Sequence, residues 1–173
     1  QAFAVQSTGE LYSWGSGAYG VLGQNDTVKR SSPTQIGALT NWSKTATSRQ
    51  GTFGAHTSAI KSDGTLWVWG RGNYRGCLGN NQSTANVSSP IQLTSSSDWT
   101  EISRGGVQGA AINSSNELYV WGSDVHGRQG RNTNNVNNSS PTQLGAAVWS
   151  KVNVGGGFMH AIRTDGTLWA WGY

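Results

Sequence analysis

Few residue clusters in this chain could do covalent chemistry. Gly15-Ser16-Gly17-Ala18-Tyr19-Gly20 has the spacing of a dinucleotide-binding turn. That function needs a helix after the last glycine and an acidic residue ~20 positions on, inside a βαβ unit. No helical period follows. Aligned stretches elsewhere are ordinary turns, Gly70-Arg71-Gly72-Asn73-Tyr74-Arg75-Gly76 and Gly122-Ser123-Asp124-Val125-His126-Gly127. His56, His126 and His160 form no pair at metal-ligand spacing, and Cys77 is the single cysteine. His56 lies in an apolar segment and is expected to be a buried, hydrogen-bonded structural residue. Cys77 aligns with Val21 and Gln129 and reads as a space-filler. Of eight carboxylates, Glu10, Asp63, Glu117 and Asp165 fall at one recurring turn, where turn chemistry explains them. No Gly-x-Ser-x-Gly elbow occurs. The residues predict no enzyme, no metal and no cofactor.

Side chains suited to recognition stand just after each recurring Trp-Gly. They are Tyr19, then Tyr74 and Arg75, then His126, Arg128 and Arg131. Tyr and Arg carry much of the energy of protein interfaces. Loops on a rigid scaffold are where such residues work. These six are the candidate partner-binding residues.

The scaffold that must hold them is an internal repeat. Glu10-Leu11-Tyr12-Ser13-Trp14-Gly15 returns as Thr65-Leu66-Trp67-Val68-Trp69-Gly70, as Glu117-Leu118-Tyr119-Val120-Trp121-Gly122, and as Thr167-Leu168-Trp169-Ala170-Trp171-Gly172. The anchors Trp14, Trp69, Trp121 and Trp171 are separated by 55, 52 and 50 positions. All three prolines, Pro33, Pro90 and Pro141, share one slot, Ser-Pro-x-Gln, and a lone Trp follows at Trp42, Trp99 and Trp149. A segment at 1, 56, 108 and 158 precedes each anchor by 13 positions. That constant block is core. Length changes fall in the connections, including an insertion near Thr47-Ser48-Arg49-Gln50-Gly51, where extra residues cost little packing.

Asp63-Gly64 is a strong hairpin turn, because glycine accepts positive φ. Beyond it, Leu66 and Val68 face one side of a strand and Trp67 and Trp69 the other. Both faces are apolar, so each hairpin must be sandwiched between neighbouring sheets. Four short strands per ~50 residues, stacked face on face, is the arrangement of propeller blades.

Composition agrees. The 173 residues include 25 Gly and 9 Trp, and 12 % are charged. A helical bundle wants Ala, Leu, Glu and Lys. Disorder wants charge and few aromatics. The net charge of +4 is spread without a run of Lys and Arg, which argues against nucleic acid as a partner. No apolar run is long enough for a membrane-spanning helix. A single cysteine allows no internal disulfide.

The combined motif resembles the repeat named after the regulator of chromosome condensation (RCC1). It reads His-x-x-Ala-Ile, Asp-Gly-Thr-Leu-x-x-Trp-Gly, Gly-x-x-Gly-x-Leu-Gly and Ser-Ser-Pro-x-Gln. The phrasing is like that of bacterial and phage-type members. Only His56 keeps the motif histidine; Gln1, Gln108 and Phe158 replace it, and Leu-Gly becomes Gln129-Gly130 in the third copy. The resemblance implies an all-β fold of RCC1-type propeller blades, commonly seven to a ring. The chain carries about three and a third units, approximately 1–55, 56–107, 108–157 and a partial 158–173. Residues 158–173 repeat the slot of residues 1–16, so the chain is expected to be part of a longer protein, with other copies of itself as the alternative source of the remaining blades. The resemblance also implies partners that differ among members: nucleotide exchange, β-lactamase inhibition, light sensing. The expected role is a non-enzymatic binding or structural module, meeting a protein or surface glycan through its rim loops on a cell or virion surface. The alternative is a guanine-nucleotide exchange factor for a small GTPase.

Overall fold

A computed structural model describes residues 1–48, 55–72, 75–82, 85–133 and 135–173. Each Trp-Gly block is the second strand of a tight hairpin. The hairpins are β1 (Ala2–Val5) with β2 (Leu11–Gly15), β5 (His56–Lys61) with β6 (Leu66–Gly70), β9 (Gln108–Asn113) with β10 (Glu117–Gly122), and β12 (Phe158–Arg163) with β13 (Leu168–Gly172). Their registers coincide: Ala2 faces Trp14, Thr57 faces Trp69, Gly109 faces Trp121 and Met159 faces Trp171. The turn chemistry is local. The Asp63 carboxylate accepts from the Thr65 backbone N–H at 3.0 Å and the Thr65 hydroxyl at 2.6 Å, and Gly64 takes φ 80°. Asp165 and Thr167 repeat this. Both carboxyls are held below their usual range by these bonds. In the third copy Asn116 takes the positive φ instead, at 62°, as the best non-glycine residue for it.

An outer strand joins each hairpin. β3 (Arg30–Gln35), β7 (Val87–Gln92) and residues 138–144 of β11 (Asn138–Val154) pair in one register, with Gln35, Gln92 and Gln143 facing Tyr12, Trp67 and Tyr119. The inner strands begin at the lone Trp residues: β4 (Trp42–Thr47), β8 (Trp99–Arg104) and residues 149–154 of β11. The sheets are β1-β2-β3, β4-β5-β6-β7, and a six-stranded sheet in the order β13-β12-β11-β10-β9-β8. We describe four blades: β1–β3, β4–β7, β8–β10 with 138–144, and 149–154 with β12 and β13. The third and fourth share one sheet because β11 runs from outer position to inner position without a break, Val148 still facing Glu117.

The inner strands line up from blade to blade. Lys44 Nζ donates to the Thr100 carbonyl and pairs with Glu101 at 2.5 Å, and the Val154 N–H donates to Ser103 Oγ at 2.9 Å. Leu11, Leu66, Val68, Leu118 and Val120 are fully buried between blades, as are Trp69 and Trp121. On β13 the equivalent Leu168 is 70 % exposed, because among the described residues no sheet packs on that face. The fold is an all-β stack of propeller blades.

Two sequence expectations are corrected. Gly20, Gly76 and Gly127 share positive φ at one loop position, so Cys77 is the counterpart of Val21 and Arg128; Gln129 takes the slot of Leu22 and Leu78. A buried Gln fits there because its Nε2 donates to the Gly122 carbonyl at 2.6 Å and its Oε1 accepts from Asn138 Nδ2 at 2.9 Å. His56 is fully buried as expected, and the β8–β9 turn brings the Gly105 and Gln108 backbone to its ring, short of a well-aligned hydrogen bond at either nitrogen.

Candidate functional site

Each Trp-Gly strand ends in a loop that folds back over the next blade. Each loop holds left-handed backbone at equivalent places, among them Gly20, Gly23 and Asn25, then Gly76, Gly79 and Asn81, then Gly127, Gly130 and Asn132. The second of each set lies on the anchor Trp of the following blade. A Cβ there would stand 2.9 Å from Trp69 Nε1, 2.7 Å from Trp121 Cδ1 and 2.7 Å from Trp171 Nε1. Glycine is required by that approach. The third residue donates its N–H to the next outer strand, Asn25 to the Ser88 carbonyl at 2.8 Å and Asn81 to the Ser139 carbonyl at 2.7 Å. The loops are thereby fixed by the blade that follows them.

Tyr19, Arg75 and His126 occupy one equivalent position, directly before Gly20, Gly76 and Gly127. All three are left-handed, at φ 62°, 58° and 63°. Left-handed backbone is uncommon for bulky side chains, and such strain persists where surrounding structure over-determines it. The Tyr19 and His126 side chains reach across the blade seams. The Tyr19 ring stacks against Arg71, whose guanidinium carbon is 4.6 Å from its centroid. His126 stacks on Tyr173 at 4.9 Å, the residue in the same slot of its blade as Arg71. Arg75 is exposed. Tyr74 lies outside the described residues.

Arg128 and Arg131 sit on the third loop, at the seam of blades three and four. Arg128 lies against Gly157, with its Nε buried and unpartnered. Arg131 lines a groove with Trp149, Arg163, Trp169 and Trp171. The structure thus joins His126, Arg128 and Arg131 on one loop. Tyr19 and Arg75 are spaced along the same rim, one seam apart.

Sequence reading missed a second set. Lys61 Nζ stands 3.7 Å from the Trp67 ring centroid and 5.0 Å from that of Trp42. Arg163 stacks on Trp169 at 3.9 Å and Trp149 at 5.3 Å. Burial pushes the Lys61 amine down. The available signal was positional, since Gln6, Lys61, Asn113 and Arg163 all fall eight before an anchor Trp. Arg104 carried no such signal. It is fully buried at the end of β8, its Nη1 donating to the Cys77 carbonyl at 2.6 Å and its Nε to Ser58 Oγ at 2.5 Å. Burial pulls its pKa down to about 9. Burial, then the neighbouring Arg104 charge, hold His56 well below the usual imidazole range.

No cluster of three or more His, Cys, Asp or Glu occurs among the described residues. Among them, no helix is long and apolar enough to cross a membrane. The arrangement can present a rigid row of aromatic and cationic side chains along one rim.

The family model described as Regulator of chromosome condensation (RCC1) repeat matches residues 8–54 and 63–112. The chain is 30 % identical over 182 residues to the E3 ubiquitin-protein ligase HERC2 of Homo sapiens, covering 98 % of this chain and 4 % of that protein. It is 26 % identical over 176 residues to the human RCC1-like G exchanging factor-like protein, covering 95 % and 37 %. The crystal structure of Prp20p from Saccharomyces cerevisiae, a study that includes its binding properties to Gsp1p and histones, superposes with a TM-score of 0.78 at 20 % identity, over 99 % of this chain and 43 % of that one. The chain therefore spans less than half the length of each of these relatives.

Proposed function

Because the chain belongs to the regulator of chromosome condensation (RCC1) repeat family, we propose that it is a non-enzymatic protein-binding platform whose partner docks along the row of post-Trp loops. One observation carries this reading: Tyr19, Arg75 and His126 stand in one strained backbone position at successive seams. A fold that needed only turns there would put glycine or asparagine in those places. The loops are also cationic. Arg71, Arg75, Arg128 and Arg131 flank the row. Asp26 is paired with Arg30 at 2.6 Å, and Asp124 is buried, accepting from the Gln129 N–H and the Thr133 hydroxyl. The partner surface that fits is acidic, with exposed apolar side chains to meet the rings.

A second reading is favoured by the exchange-factor relative and by the Gsp1p-binding Prp20p: the acidic partner is a small GTPase, and docking accelerates nucleotide release. Protein or glycan ligands on a cell or virion surface are the other class. A biosensor panel of small GTPases, acidic surface proteins and glycans tests both. The combined variant Tyr19→Ala, Arg75→Ala and His126→Ala is expected to weaken the partner found by about tenfold or more, an interface hot-spot effect, with its melting temperature kept. Unchanged affinity overturns the docking row. A bound GTPase whose nucleotide release is not accelerated removes the exchange reading alone.

A further inference from the structure

A groove of about 310 Å³ lies between blades one and two, walled by Ile36, Leu39, Trp42, Trp67 and Pro90. These walls are apolar, yet two hydrogen-bond donors stand at them without an acceptor. The Trp42 indole N–H is buried and unpartnered. The Lys61 ammonium rests on the Trp67 and Trp42 rings. Among the described residues it makes no hydrogen bond or ion pair, although Lys61 is only 7 % exposed. Asp63, the carboxylate whose charge acts on it, is turned to Thr65.

The matching groove between blades two and three explains the first orphan. The Ile36 and Leu93 N–H groups donate to Leu11 and Leu66, and those of Trp42 and Trp99 to Gly9 and Gly64. Gly37 is thus the counterpart of Thr94. The Trp99 indole N–H donates to Thr94 Oγ1 at 2.9 Å. Gly37 supplies no such oxygen, and among the described residues nothing lies within 4 Å of where its Cβ would be. The charges differ as well. Asn113 stands in the place of Lys61, and Asp98 and Glu117 line the second groove. A buried N–H and a largely buried ammonium are both costly to leave unmet. One carboxylate answers both, one oxygen accepting from the indole and the other from the ammonium.

We propose that the groove between blades one and two binds a small apolar carboxylic acid, its carboxylate between Trp42 Nε1 and Lys61 Nζ and its hydrocarbon body against Leu39, Trp67 and Pro90. The volume falls at the small end of ligand sites, and apolar walls with a few convergent polar groups are their usual make-up. A free acid fits better than a peptide strand, because the polar groups along the groove are already engaged. Pro90 has no N–H. The Asn25 N–H and Oδ1 are bonded to Ser88 and Ser89, and Gln24 Nε2 to Ser13 and Thr34. The second groove rejects the same ligand, since Asp98 and Glu117 repel it and Thr94 already occupies the indole donor. This site needs none of Tyr19, Arg75 and His126, so it stands or falls apart from the docking row.

The test titrates isotope-labelled protein with phenylacetate and follows the indole N–H signals by nuclear magnetic resonance. The Trp42 signal, identified by its loss in Trp42→Phe, is the readout, because Trp149 repeats the pattern with Gly145 and Arg163. Saturable movement of the Trp42 signal is expected, half complete at about 1 mM or below, with the Trp99 signal unmoved. Phenylacetamide has the same shape without the charge and is expected to bind about tenfold more weakly or worse. Lys61→Met should weaken phenylacetate comparably. Gly37→Asn should do the same, because asparagine tolerates the left-handed φ of 63° and brings its own oxygen to the indole. A Trp42 signal that does not saturate overturns the proposal, since a water then meets the N–H. So does equal binding of phenylacetamide, or an unchanged affinity in Lys61→Met.

Discussion

The seam between blades one and two and the seam between blades two and three close over the same kind of tryptophan by different means. At the first, Trp69 lies on Gly23 and its indole N–H donates to the Val21 carbonyl at 2.8 Å. At the second, Trp121 lies on Gly79, but its indole N–H has no partner. The equivalent carbonyl, that of Cys77, is taken by Arg104, whose guanidinium stands 5.1 Å from the Trp121 ring centroid. The first seam is closed by neutral groups, the second by a buried cation. The lesson is that the repeat is defined by the approach of ring to glycine. The hydrogen bond that finishes the closure is replaceable.

The largest effect follows from the shared part. Trp69→Ala and Trp121→Ala each remove a fully buried ring, and each is expected to cost about 3–5 kcal/mol, read by denaturant melts. A cost under about 1 kcal/mol at either seam would mean that the glycine contact is not what holds the blades together.

That shared part is what a sequence can display. Thirteen constant residues, an Asp-Gly turn and alternating apolar faces are local patterns, and they map onto the hairpins β1–β2, β5–β6, β9–β10 and β12–β13. The difference between seams is not local. Arg104 stands where blade two has Thr47 and blade four has Val154, and nothing near it in the chain marks it as buried. Its partners, Ser58 and Cys77, are 46 and 27 residues away. The loop candidates were legible as residue types only. That Tyr19, Arg75 and His126 share one left-handed position became visible through their φ angles, since intrinsic preference points the other way. The continuous β11 (Asn138–Val154) was also hidden, because nothing in the residues between Leu144 and Trp149 marks an unbroken strand.

The second effect separates the seams. Trp→Phe keeps most of the ring and deletes the indole N–H. At Trp69 it leaves the buried Val21 carbonyl with only a 3.4 Å contact from the Thr57 hydroxyl. At Trp121 it deletes nothing that is bonded. Trp69→Phe is therefore expected to cost about 1 kcal/mol more than Trp121→Phe. Arg104→Met sharpens this. Replacing a buried charge by an apolar side chain of similar length is often neutral or stabilising, so the variant is expected to fall within about 1 kcal/mol of the parent. It also returns the Cys77 carbonyl to Trp121. In that background Trp121→Phe should become as costly as Trp69→Phe. Additive single and double variants would show that the two seams never shared a closure.

The smallest effect is a dependence on pH, and it belongs to the second seam alone. His56 is buried against Arg104, and protonating it would place two cations in one dry space. Its folded pKa lies well below the ordinary 6.5, through burial first and Arg104 second. Between the folded value and 6.5 the unfolded chain binds the extra proton and the folded chain does not. Stability is therefore whole above pH 6.5 and falls as pH drops below it, with a limiting slope of about 1.4 kcal/mol per pH unit. The lowered carboxyls Asp26, Asp63 and Asp165 act in a different window, because their stabilisation is lost only as pH falls through and below the ordinary 3.8. Below pH 6.5 and above the carboxylate window the slope is therefore expected to come from His56. His56→Gln is expected to flatten it, and Arg104→Met to reduce it by removing the repelling charge. A slope untouched by His56→Gln would place the acid sensitivity outside this seam. A slope that His56→Gln abolishes but Arg104→Met leaves whole would assign it to burial alone, and the contrast between a neutral and a cationic seam would lose its electrostatic half.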